Sequence, residues 1–199
     1  MTDFDPDLDE PDGRRRRSQD SRIRIVSAMI ELVREGDISP SAADVATRAG
    51  VGLRSVFRHF NDMECLYREM TELIEADLRA VAARPFKGVT WRERVLELID
   101  RRSVGFDQIA PLRRASDARR HTSPVLQDDH DRLTLALREL LRMQVPRGAV
   151  DRPTFEALEL LLSYEAWNRL RVEQGLGATE ARKALRVAVK ALIGEDEGA

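Results

Sequence analysis

Ile23, Val26, Ile30 and Val33 fall at i, i+3, i+7 and i+10, and apolar residues keep helical spacing from there to the end of the chain. No run alternates apolar and polar residues with period 2, and the β-branched residues are scattered. The chain should therefore be all-α, with about nine helices. Ser18 or Asp20 can cap the first, and Gly36 supplies its stop. Ser41 caps a short helix from Ala42 to Ala49, with Asp44 as the acid of a capping box. After the turn Gly50-Val51-Gly52 comes a third helix, Leu53 to His59. Asn61 or Asp62 caps a long fourth helix towards Ala83, broken by Arg84-Pro85. Further helices are expected at roughly 90–106, 107–120, 123–144, 152–174 and 178–193.

The composition, 42% hydrophobic and 34% charged over 199 residues, suits a soluble domain pair with a real core. A single cysteine, Cys65, excludes a disulfide framework and any Cys-rich zinc module. No apolar run approaches the roughly 18 residues needed to span a bilayer, so no membrane partner is expected. The acidic start carries no signal-type apolar segment, which makes the cytoplasm the expected compartment. A formal net charge of −2 conceals strong segregation. Residues 1–13 hold six acids and no base and read as a disordered acidic tail. Residues 14–70 hold 11 Arg against 8 acids, beginning with Arg14-Arg15-Arg16-Arg17. The distribution of charge, rather than its total, points to nucleic acid.

Ser41 to Phe60 carries the most information. A helix of about eight residues, a Gly-containing turn and a second short helix is the geometry of a helix-turn-helix. Val45, Ala46 and Ala49 would pack on Val51, Val56 and Phe60. The candidate DNA contacts are then Ser41, Gly52, Leu53, Arg54, Ser55, Phe57, Arg58 and His59. Arginine can fork onto guanine edges, whereas serine and histidine reach phosphate oxygens. Arg14, Arg15, Arg16 and Arg17 would form an arm into the adjacent minor groove.

Ala49-Gly50-Val51-Gly52-Leu53-Arg54-Ser55-Val56-Phe57-Arg58-His59-Phe60, followed by Asn61-Asp62-Met63-Glu64-Cys65-Leu66, resembles the signature of the TetR family of transcriptional regulators. The resemblance covers residues 18–70. It implies a helix-turn-helix domain over 14–65 and a helical effector-binding and dimerisation domain over 66–199. It also implies a homodimer on a near-palindromic DNA duplex, a small-molecule effector and, most often in the family, repression. Three positions depart from the pattern. Gly52 replaces a Ser or Thr cap, Phe57 a Tyr, and Met63 a Lys that reaches the DNA backbone. These losses leave open a helical homodimeric interaction protein with weak or lost DNA binding; an activator is a further alternative.

In the C-terminal half, Trp91, Phe106, Tyr164 and Trp167, with Arg102, His121 or Asn168 as polar groups, are the candidate pocket residues. Phe155, Leu158, Leu162, Leu170, Leu185, Ala188, Val189 and Leu192 form apolar stripes on the last helices and are the candidate dimer interface. No metal site and no cofactor is expected. Asp128, Asp129, His130 and Asp131 are consecutive on one helix and fan out around its axis. The chain also lacks a Glu-x-x-His pair and a Gly-rich phosphate loop, and an enzyme is not expected.

Overall fold

The computed structural model describes residues 10–194, and every regular element among them is helical. In chain order these are α1 (Glu10–Arg34), α2 (Ala42–Ala49), α3 (Leu53–His59), α4 (Met63–Ala82) and α5 (Trp91–Arg120). They are followed by α6 (Pro124–Gln144), α7 (Arg152–Leu161), α8 (Tyr164–Asn168), a π-helical turn (Arg169–Glu173) and α9 (Ala178–Ile193). The expected boundaries of α2 and α3 coincide with those observed. No helix among the described residues is long and apolar enough to cross a membrane.

Three departures have physical causes. The helix expected to begin near Ser18 starts at Glu10, so the Arg14–Arg17 run is helical rather than an extended arm. Arginine is a good helix former; Arg17 Nε donates to the Gly13 carbonyl and the Ser21 hydroxyl to that of Arg17. Residues 1–9 of the expected tail lie outside the described residues. Next, 90–106 and 107–120 form one helix, α5, that passes through Pro111. The proline removes one backbone donor, yet Phe106 and Ile109 before it and Leu112 and Ala115 after it are buried, and that packing overrides the local penalty. Finally, the helix expected at 152–174 breaks at Ser163, whose hydroxyl accepts from the Ala166 N–H and caps α8.

The chain divides into two compact units, residues 1–73 with 111–126, and residues 74–110 with 127–199. In the first, α1 packs on α2 and α3. The buried face of α1 is Ile25, Val26, Ala28, Met29 and Val33; of the expected stripe Val26 and Val33 are buried, whereas Ile30 is half-buried and Ile23 56% exposed. Val45, Ala46, Val56, Phe60, Leu66, Tyr67 and Met70 complete this core. In the second, α5, α6, α7, α8 and α9 close around Ile99, Leu141, Leu158, Trp167 and Val189.

Candidate nucleic-acid interface

The first helix of the helix-turn-helix is fixed by a complete capping box. The Ser41 hydroxyl accepts from the Asp44 N–H at 3.2 Å, and the Ser41 N–H donates to the Asp44 carboxylate at 3.1 Å. The Ser41 hydroxyl also donates to the Asp44 carboxylate, and this bond first, then that from the Ser41 N–H, holds the Asp44 carboxyl below its ordinary value. At the other end Gly50 takes φ 64°, and its N–H and that of Val51 close on the Thr47 and Ala46 carbonyls. That left-handed turn suits glycine and reverses the chain between α2 and α3.

Gly52 precedes α3 in an extended conformation with no side-chain cap. Val56 and Phe60 point into the core at 1% and 2% exposure. Leu53, Arg54, Phe57 and Arg58 are exposed, and at about 100° per residue they span one face of α3. Among the described residues neither Arg54 nor Arg58 belongs to an ion pair. Arg48 of the same unit, by contrast, forks onto Glu35 at 2.9 and 2.7 Å. The face therefore offers two free guanidinium groups flanked by two apolar side chains. Guanidinium groups suit guanine edges and phosphates, and apolar groups suit thymine methyls.

Ser55 and His59 are half-buried. The Nε2 atom of His59 is buried without a hydrogen-bond partner among the described residues, so it is not presented to a phosphate as the sequence led us to expect. Burial first, then the Arg58 and Arg22 charges, hold its imidazole below the ordinary value. Arg15, Arg16 and Arg17 are exposed along the start of α1.

Arg22 is the residue the sequence did not bring forward. Its guanidinium donates to the His59 carbonyl at 2.7 Å, forks onto the Glu69 carboxylate and lies 4.4 Å from the centre of the Phe60 ring. One side chain thus ties α1, the end of α3 and α4 together. The signal was present, because Arg22 precedes Ile25, Val26 and Met29 by three, four and seven residues, which places it on the buried face of α1.

In the second unit a cavity of about 390 Å³ opens between α5 and α6. Of the seven expected pocket residues, Arg102 and Phe106 line it, and Phe86, Leu98, Leu133 and Leu137 supply apolar wall. The others lie elsewhere. Trp167 is fully buried and donates to Asp107 at 2.9 Å, and Tyr164 stacks edge-on against Phe106 in the core. Asn168 faces the Tyr164 hydroxyl, Trp91 packs at the rim of the core, and His121 is exposed in the turn after α5, in the other unit. The expected dimer stripe also needs correction. Phe155, Leu158, Leu162, Leu185 and Val189 are buried within the protomer's own core, which leaves almost no surface for a partner. Leu170, Ala188 and Leu192 are half-buried, while Leu160 and Val187 of α7 and α9 are 63% and 72% exposed.

No protein-family model and no curated protein matches the chain. Solved structures do match its fold. A transcriptional regulator from Rhodococcus sp. superposes with a TM-score of 0.71 at 18% identity, over 87% of this chain and 96% of that one. A TetR family transcription regulator from Marinobacter aquaeolei gives 0.60 at 18% identity, over 89% and 97%. The multidrug binding protein EbrR, complexed with imidazole, gives 0.62 at 20% identity, over 89% and 92%. The chain has the fold of the TetR-family transcriptional regulators.

Proposed function

We propose that this protein is a DNA-binding transcriptional regulator of the TetR family rather than an enzyme. It would act as a homodimer that places α3 of each protomer in successive major grooves of a near-palindromic duplex. The observation that carries this reading is the face of α3, where Arg54 and Arg58 stay unpaired beside exposed Leu53 and Phe57. Two α3 helices related by a two-fold axis fit DNA when they sit about 34 Å apart. A small molecule in the α5–α6 cavity would act by favouring a conformation with a different spacing, which releases the operator and relieves repression. The exposed apolar side chains Leu160 and Val187 offer the dimer contact in place of the buried stripe.

Selection of binding sites from random duplexes at low salt by the purified protein tests this reading. A near-palindrome should be recovered. Arg54→Ala should then relax preference at one base position in each half-site, with a loss of about 1–3 kcal/mol. Absence of enrichment would instead favour a helical interaction protein that has lost strong DNA binding, the reading that Gly52, Phe57 and Met63 support.

A further inference from the structure

The α5–α6 cavity contains a charge that the protein itself does not satisfy. Arg102 is 7% exposed and lines the cavity among apolar side chains. It donates to two carbonyls, that of Leu162 at 2.7 Å and that of Leu137. Its Nε–H is buried with no hydrogen-bond partner among the described residues. Three further lining arginines have carboxylates of their own: Arg79 pairs with Glu75, Arg101 with Glu97 and Arg132 with Asp129. No carboxylate is hydrogen-bonded to Arg102 among the described residues; Glu159 acts on it only at longer range and also faces Arg138. Burial pushes its guanidinium down to about 10, the direction expected of a cation short of counter-charge. A buried cation whose hydrogen bonds are incomplete is costly, and an anion entering the cavity would relieve that cost.

We propose that the α5–α6 cavity binds an apolar molecule bearing a single carboxylate, held by the Arg102 guanidinium. The inference rests on the reading of this cavity as the effector site. Of the five N–H donors of arginine, two are committed to carbonyls, and three remain, enough for one carboxylate. The remaining wall, with Phe86, Leu98, Phe106 and Leu133, takes the apolar body. At about 390 Å³ the cavity suits a small ligand.

Calorimetric titration of the full chain with decanoate, decanol and decylamine at one ionic strength tests the proposal. Decanoate should bind about tenfold more tightly than decanol, and decylamine more weakly than either. Arg102→Met should abolish the preference while decanol still binds, and Arg102→Lys should keep part of it. Equal binding of decanoate and decanol, or preference for decylamine, overturns the carboxylate assignment and leaves the effector cavity standing. If none of the three binds, the cavity reading falls as well. The comparison in the unaltered protein decides the matter even if Arg102→Met does not fold.

Discussion

Replacing Arg22 by Met should loosen the recognition helix without touching its DNA-facing side. The substitution keeps an unbranched stem of similar reach and removes the guanidinium. Three contacts are lost: the charged bond to the His59 carbonyl at 2.7 Å, the fork onto Glu69, and the stacking on Phe60 at 4.4 Å. A hydrogen bond from a charged donor contributes about 1.5–3 kcal/mol. The stacking adds about 0.5–1 kcal/mol. The ion pair is discounted to about 0–1 kcal/mol, because its side chains are 43% and 26% exposed. Allowing for non-additivity, the loss should be about 2–4 kcal/mol, which lowers the melting temperature by about 4–16 °C in a chain of this size. Thermal unfolding followed by circular dichroism reads the loss directly. Arg22→Lys should recover at most the ion pair, since an ammonium cannot fork onto Glu69 and stack on Phe60 together. If Arg22→Met melts within about 1 °C of the parent, Arg22 does not hold the unit together.

Three further outcomes follow from the same region and from the last helices. Ser41→Ala should cost about 1 kcal/mol by removing the side-chain acceptor of the capping box, measured by urea unfolding. Because the folded imidazole of His59 lies below its ordinary value of 6.5, the unfolded chain takes up the proton more readily. Stability contributed by neutral His59 is therefore full above about pH 6.5 and falls as pH drops below it. His59→Gln should flatten that part of the stability–pH curve, and an unchanged curve would contradict the burial of Nε2. Val187→Glu should shift sedimentation towards monomer, whereas Val172→Glu, also exposed but in the π-helical turn, should not.

What could be foreseen in this chain depended on how locally each feature is encoded. The limits of α2 and α3 are set by Ser41, Asp44, Gly50 and Gly52, all within a few residues of the helix ends they control. The break at Ser163 was equally local, a cap residue inside an apolar run, yet the continuous spacing of Leu158, Leu161 and Leu162 masked it. Pro111 misled in the opposite sense, because burial of the residues on both sides outweighs one missing donor. Spacing placed Arg22 on the buried face of α1 and Arg102 among the pocket candidates but could not name their partners, because the carbonyls they bind lie 37 and 60 residues away.

The dimer stripe shows why periodicity alone leaves a helical pair ambiguous. Leu158 and Leu162, on α7 and its C-cap, and Leu185 and Val189 on α9 do repeat at i and i+4, and they do form an apolar face. Spacing specifies that such a face must be covered; it does not say by what. Here α7 and α9 pack on each other within one core that also draws on α5, α6 and α8, and those residues are at most 6% exposed. A face for a second protomer must then come from the opposite side of the same helices, where polar residues are the rule. On α9 that side carries Ala184, Val187 and Ala191, exposed and separated by three and four residues, among charged neighbours such as Lys183 and Lys190. Small side chains there permit close approach of two helices, and a single Val supplies little apolar area by itself. An interface built there therefore has to draw area from α7 through Leu160 as well, which makes it more sensitive to one buried charge than a broad leucine stripe would be.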